Sequence, residues 1–532
     1  MNYLVKFKSR TGWIPFCPTY YQLGVLSCMF LSICAGICQS GYNQTFDEGI
    51  SLSFRSVVFA NDHVFISGIY RQEAQSFQRG FLAAYDTLGG LIWWQVIEDD
   101  SSSITIDAES GMCVANNELV AVKYGYLEKN SVGLTLIDFS GNILCMNEYV
   151  QFGTLNTVPL DIIPVNNGFI ITGTIQFTDF NVDAFILKTD TNGKFLWKRT
   201  YGHPIYWENS RTITIKGDND LVISGTRYQW EQEPTFYHGW AYAIDSLGNK
   251  KWEWEASGEE IPHRGIMSMQ YDSVNHEWVY MSFLEKPVFI KELGFNVDMQ
   301  IPVFVRRDST MQLIGYQEYG PYSLRHYMGS LESSNDGSWL ASGNFSCVTE
   351  DSPQNCDVGY GRVIKISNDV DTILWSVKDT AFYHPEHGSN CYLSGVTESP
   401  SGSVYAVGWA NHYDENGVYR SFGWLLKITK DGCVDTLCTT TSLLEQIEKR
   451  EKKVQVYPNP ASDYLIFEIA EGVDVAHAEI YDLSGRKVQY QQMRSGTRVM
   501  MLDDGRYASG MYVWRVVDAK GVQVGTGKIF IE

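Results

Sequence analysis

Residues 184–201 read AFILKTDTNGKFLWKRTY, and the fold is decided there. A strand-like apolar pattern runs to Lys188. Asp190, Thr191, Asn192 and Gly193 then reverse the chain, and Phe195, Leu196 and Trp197 lead back. Two such runs joined by an Asn-Gly-type turn predict a β-hairpin. The hairpin recurs. With its first turn residue as register, Asp86, Asp138, Asp190, Asp245, Arg307, Ser367 and Thr429 follow at spacings of 52, 52, 55, 62, 60 and 62 residues. Seven residues after the register lies Trp93, Trp197 or Trp252, and eight after it lies Trp375; Cys145, Ile314 and Thr436 take that slot in the other repeats.

Two further strands precede each hairpin. The first, as in residues 54–59 or 211–215, ends in a turn rich in Asn and Asp such as Asn61-Asp62, Asn166-Asn167 or Asn335-Asp336. The second carries Gly68, Gly173, Gly225, Gly343 or Gly408 in its middle, and a strand glycine marks close packing on the backbone. A lone four-stranded sheet cannot cover both its faces, whereas radial stacking covers each sheet with its neighbours. Seven repeats at this period therefore predict an all-β, seven-bladed β-propeller over residues 39–438. Tandem sandwiches would need about 100 residues each. Residues 40–46 are expected to close the ring as an outer strand of the last repeat.

Composition narrows the partners. The chain has 532 residues, 44% apolar and 19% charged, enough to bury large cores. The net charge is -21, and residues 1–38 hold Lys6, Lys8 and Arg10 but no acid. Nucleic acid and anionic membranes are thus poor partners, since phosphate contacts need cations. The same 38 residues have a basic start and an apolar run at 23–37, which reads as a signal peptide and is short for a spanning helix. No integral span is expected once it is removed. In an oxidising compartment Cys347 with Cys356, and Cys433 with Cys438, are disulfide candidates, and the odd count of seven cysteines beyond residue 38 leaves one thiol over.

The hairpins resemble those of quinoprotein-like propellers, and more closely the loosely defined repeats of secreted Bacteroidetes propellers. That likeness bears on fold, and no cofactor is expected. Residues 439–453 are polar and charged and read as a linker. Beyond it, Tyr457-Pro458-Asn459-Pro460, Leu483-Ser484-Gly485-Arg486, Gly510, Tyr512 and Lys528 closely resemble the type A sorting domain of type IX secretion cargo in the Bacteroidetes. The resemblance covers residues 454–532. It implies a small Ig-like sandwich recognised by the outer-membrane secretion machinery and usually removed, with the cargo released or attached at the cell surface. Several Asp-Ser/Thr-apolar triplets, such as residues 86–88 and 245–247, resemble the O-glycosylation site of such exported proteins and are also ordinary turn chemistry.

Propeller connectivity sorts the loops. Turns from first to second and third to fourth strand are short and share one end; the other connections are long and share the opposite end. His203, His238, His263, His326, His384, His387 and His412 all fall in the long set, with Arg264, Trp207 and Trp230. Long loops on a rigid scaffold are where binding residues collect. His384 and His387 could share an ion only with a third ligand from another repeat, such as His326 or His412, and no metal is expected. The sequence holds no nucleophile elbow, HExxH or phosphate-binding glycine loop, and carboxylate pairs of glycosidases are set in space. The expectation is an exported surface or secreted binding module for a glycan or protein. A glycan hydrolase or lyase using the same loops and a structural protein without a ligand are the alternatives.

Overall fold

The computed structural model describes residues 41–434 apart from 47–49, 73–77, 98–102, 107–110, 116–118, 127–129, 150–154, 179–180, 204–205, 218–219, 230–236, 257–264, 291–294, 321–324, 347–358, 382–389 and 414–418, and residues 454–531 apart from 458–460, 462–463, 470–476, 483–485, 494–495, 503–506 and 518–522. Cys347, Cys356, Cys438 and the linker lie outside the described residues. The chain divides into two compact bodies, Met1–Thr441 and Ser442–Glu532.

All described elements of the first body are strands. In the fourth repeat they are Tyr206–Lys216, Asp220–Gln229, Tyr237–Ile244 and Lys250–Glu255, paired antiparallel in that order. The described strands make seven such groups, the second with its first strand split into Ile104–Thr105 and Met112–Ala115 and the last completed by Tyr42–Phe46. First strands pack against neighbouring groups, and Ile50–Ala60 of the first repeat packs against all three of Asn390–Glu398, Val404–Tyr413 and Tyr419–Ile428 of the last. The sheets thus close on themselves as a propeller. The closing strand is Tyr42–Phe46, which pairs antiparallel with Tyr419–Ile428. Asn43 clasps the join: its Nδ2 donates to Asp379 Oδ2 at 2.8 Å, and its Oδ1 accepts from Trp424 Nε1 at 2.8 Å.

The strand glycines answer to a bulge. Opposite each, the first strand shifts register, between Phe54 and Ser56, Pro159 and Asp161, Ser210 and Thr212, Met328 and Ser330, and Leu393 and Gly395. The bulge pushes a carbonyl toward the second strand. A Cβ on Gly68, Gly173, Gly225, Gly343 or Gly408 would run into the carbonyl of Ser53, Val158, Asn209, Tyr327 or Tyr392.

Five hairpin turns are built on an Asp, and Ser367 and Thr429 cap the other two through their hydroxyls. In the third repeat Asp190 N–H donates to Lys194 O and accepts Gly193 N–H on its own carbonyl, while Asp190 Oδ1 accepts from Asn192 and Lys194 N–H at 2.9 and 2.8 Å. The fourth residue has positive φ, 77° at Gly193, which places glycine there. The fifth repeat corrects the sequence register. Its turn opens at Asp308, not Arg307, because the carboxylate of Asp308 caps Thr310 and Gln312 N–H; Arg307 is instead buried against Trp254 and Tyr280.

The recurring aromatic couples neighbours. Trp93 Nε1 donates to Phe139 O at 3.0 Å and Trp375 Nε1 to Lys430 O at 3.1 Å, each in the hairpin turn of the next repeat. Where the second repeat has Cys145 in that slot, Asn147 Nδ2 and Tyr149 Oη donate to Gly193 O instead. Cys113 is a buried thiol in a hydrophobic cluster and Cys145 lies on this seam.

The second body packs a sheet of three antiparallel strands, from Val454–Tyr457, Tyr464–Ile469 and Gly496–Met501, and one of four, from Lys487–Gln492, His477–Asp482, Gly510–Val517 and Gln523–Ile531, about a shared core of Leu465, Phe467, Ile480, Met500, Trp514 and Ile529. On the other face of the larger sheet the buried carboxylate of Glu479 accepts from Lys487 Nζ at 2.8 Å and Arg515 Nε at 2.9 Å. These donors outweigh its burial and hold its pKa down at about 2.

Candidate functional site

Strands in the fourth repeat run further toward the long-loop end than the sequence pattern foretold. The first begins at Tyr206 rather than Arg211, because Trp207 and Tyr228 continue the ladder as a cross-strand pair. Their rings lie nearly parallel, 5.3 Å between centroids at 21°, and Tyr237 joins Tyr228 at 4.9 Å. The result is a shelf of three partly exposed aromatic rings at the strand ends.

The shelf forms one wall of a cavity of about 520 Å³ shared by the fourth, fifth and sixth repeats. Arg211, the bulge residue of the first strand, lines it and donates from Nη1 to Tyr327 Oη of the sixth repeat at 3.3 Å. Glu285 and Gln300 face in from the fifth repeat, with Gln300 Nε2 donating to Glu285 Oε1 at 3.0 Å. In this wall the hydroxyl of Thr226, only 8% exposed, and Asn209 Oδ1 have no hydrogen-bond partner among the described residues. The aromatic surface continues past Tyr327, which lies nearly parallel to Tyr392 at 6.3 Å, and Tyr392 to Trp409 at 5.9 Å. Donors, acceptors and ring faces converge here, which is the pattern of a polar-ligand site.

Behind the shelf sits an ionic knot. Arg227 pairs with Glu208, Glu253 and Glu255 and lies 5.1 Å from the ring centroids of both Tyr206 and Trp240. Burial raises the pKa of Glu208 and the Arg227 charge opposes that shift. With all three carboxylates turned onto one guanidinium, the knot braces Tyr206.

The residues singled out from sequence are placed as follows. Trp207 is in the shelf. His203 is exposed, 5.3 Å from the Tyr206 ring, and its N–H donates to Glu208 Oε2 at 2.8 Å. His238 lies in strand Tyr237–Ile244 opposite Arg227. His326 corrects the loop reading: it sits in strand Arg325–Ser333, is 0% exposed, and is packed edge-on to Phe345 with its Nε2 bonded to Arg362. His412 likewise falls within strand Val404–Tyr413, opposite Arg420. Trp230, His263, Arg264, His384 and His387 lie outside the described residues, as therefore does the suggested His384–His387 ion site. Among the described residues no group of three or more His, Cys, Asp or Glu is arranged to hold a metal. Sequence reasoning missed Tyr228, Tyr237, Tyr327, Arg211, Glu285 and Gln300. For the tyrosines the available signal was their place within the first or last three residues of strands bordering long connections.

No curated protein matches the chain. Among solved structures it is similar to a subtype N10 neuraminidase-like protein of A/little yellow-shouldered bat/Guatemala/060/2010, at 11% identity over 72% of this chain and 100% of that one, TM-score 0.31. It is also similar to a Penicillium chrysogenum alpha-L-arabinanase complexed with arabinobiose, at 8% identity over 64% and 97%, TM-score 0.35. The β-propeller domain of the trilobed protease of Pyrococcus furiosus matches at 8% identity over 64% and 98%, TM-score 0.30. Residues 455–532 match the secretion system C-terminal sorting domain. The chain therefore ends in a type IX secretion sorting domain, engages that secretion machinery through it, and is exported to the cell surface or secreted.

Proposed function

We propose that the propeller is an exported binding module whose ligand is a glycan held in the cavity at the long-loop end of the fourth to sixth repeats. The observation that carries this reading is the shelf of Trp207, Tyr228 and Tyr237 standing over a wall of hydrogen-bonding groups. A sugar ring offers C–H groups on its faces and hydroxyls around its edge. It stacks on the shelf while Arg211, Asn209, Thr226, Glu285 and Gln300 reach the hydroxyls, a division of labour that neither a purely apolar nor a purely charged ligand would use. The buried Thr226 hydroxyl and Asn209 oxygen gain partners only when something polar enters.

A glycan array probed with the exported chain, beside Trp207→Ala and Tyr228→Ala, tests the reading. Each substitution is expected to weaken binding to array-positive glycans at least about tenfold, the loss of roughly 1.4 kcal/mol, with the melting profile kept. An array without hits, or hits bound equally by both variants, overturns it.

A further inference from the structure

The repeats supply their own controls for a second site at the opposite, short-turn end. Four of them place a cation two residues before the hairpin turn: Lys188, Arg306, Lys365 and Lys427. Three of these are well served. Arg306 pairs with Glu277 at 2.7 Å and donates to Asp369 O at 3.2 Å. Lys365 pairs with Asp336 at 2.9 Å and Glu398 at 3.4 Å. Lys427 donates to Thr87 O at 2.9 Å and lies over Tyr42 and Tyr405. Lys188 is only 7% exposed, and among the described residues its ammonium makes one long contact, 3.5 Å to Ser246 O. An ammonium has three protons to place, and a buried one without a counter-charge is costly.

Beside it a groove of about 760 Å³ opens between the third and fourth repeats. Its walls are Val165, Ile170, Leu196, Trp197, Ile215 and Leu247, and Lys188 is the one charged residue among those that line it. Leu247 is 65% exposed, Leu196 46% and Ile215 42%. Apolar side chains left in water together mark a contact site. The volume is within the range of small-molecule sites, about 300 to 1,000 Å³.

We infer that this groove binds a small carboxylate with an apolar body, of the medium-chain fatty-acid type, whose headgroup is the counter-ion of Lys188. The chain lies along Leu196, Ile215 and Leu247, and the carboxylate accepts protons such as the sibling cations give to Glu277, Asp336 or Thr87 O. A neutral amphiphile would fill the walls and leave the cation as it is, so charge at one end defines the class. This site is independent of the glycan cavity.

Calorimetric titration of the exported chain with decanoate, and with decanol as the uncharged match, tests it. Decanoate is expected to bind at least tenfold more tightly than decanol. Lys188→Met should level the two, and Leu247→Asp, at an exposed position, should weaken decanoate at least tenfold without lowering the melting temperature. Equal binding of decanoate and decanol, binding of neither, or decanoate binding unchanged in both variants would overturn the assignment.

Discussion

The two ends of the propeller are made from the same strands and obey different rules. At the short-turn end the repeat dictates most of the structure: an Asp, Ser or Thr caps its own hairpin, the fourth turn residue takes positive φ, and side chains such as Trp93 and Trp375 donate to the next sheet's turn. At the long-loop end the repeats part company. The fourth builds an aromatic shelf, the fifth contributes Glu285 and Gln300, and the sixth and seventh offer Tyr327, Tyr392 and Trp409. One end holds the ring together by a repeated device; the other, where the glycan is proposed to bind, differs from sheet to sheet.

Substitutions at the two ends should therefore separate stability from binding. Gly173→Val is the severest case, because the new Cβ meets the Val158 carbonyl at the bulge. It should cost about 3 kcal/mol in denaturant unfolding, and a loss within error would mean that the bulge yields. Trp375→Ala removes a buried ring and its bond to Lys430 O; about 3 kcal/mol is expected, with ligand binding kept. Asp190→Ala deletes two bonds to backbone N–H groups in a partly exposed turn and should cost about 1 kcal/mol. Trp207→Ala reverses the pattern, with a small change in melting temperature and a large loss of binding.

Glu332 sharpens the comparison through pH. It sits half-buried in the first strand of the sixth repeat, near its short-turn end. That burial, and next the Asp161 charge, push its pKa up to about 8. The unfolded chain ionises this carboxyl near 4.5, so the folded state binds the extra proton and stability falls as pH rises from about 4.5 to about 8. Glu332→Gln should be more stable than the parent at pH 9 and nearly equal at pH 4, read by thermal melts. A gain of the same size at both values would assign the effect to packing.

Much of the ring was legible in the sequence because its causes are local. Asp190 and Gly193 announce a turn that they build themselves, and Gly173 announces a close approach whose partner, the Val158 carbonyl, is fixed by the neighbouring strand. Tyr42–Phe46 was legible as a closing strand because the sequence allows the last repeat only a short fourth strand of its own. The site was less so. Arg211 and Tyr327 are 116 residues apart in sequence and meet only because two repeats curve toward the same axis. His326 misled for the opposite reason: it stands next to a long connection, yet the strand starts one residue earlier and carries it into the core. Histidine count in the loops was thus a poorer guide than aromatic residues at strand ends.

The division of labour between the ends has a direct test in hydrogen–deuterium exchange of the exported chain with and without an array-positive glycan. The account predicts added protection in peptides covering residues 206–211, 224–229, 283–285 and 299–301, with the hairpin turns at 190–194 and 245–249 unchanged. Protection confined to those turns, with none along the shelf, would contradict it.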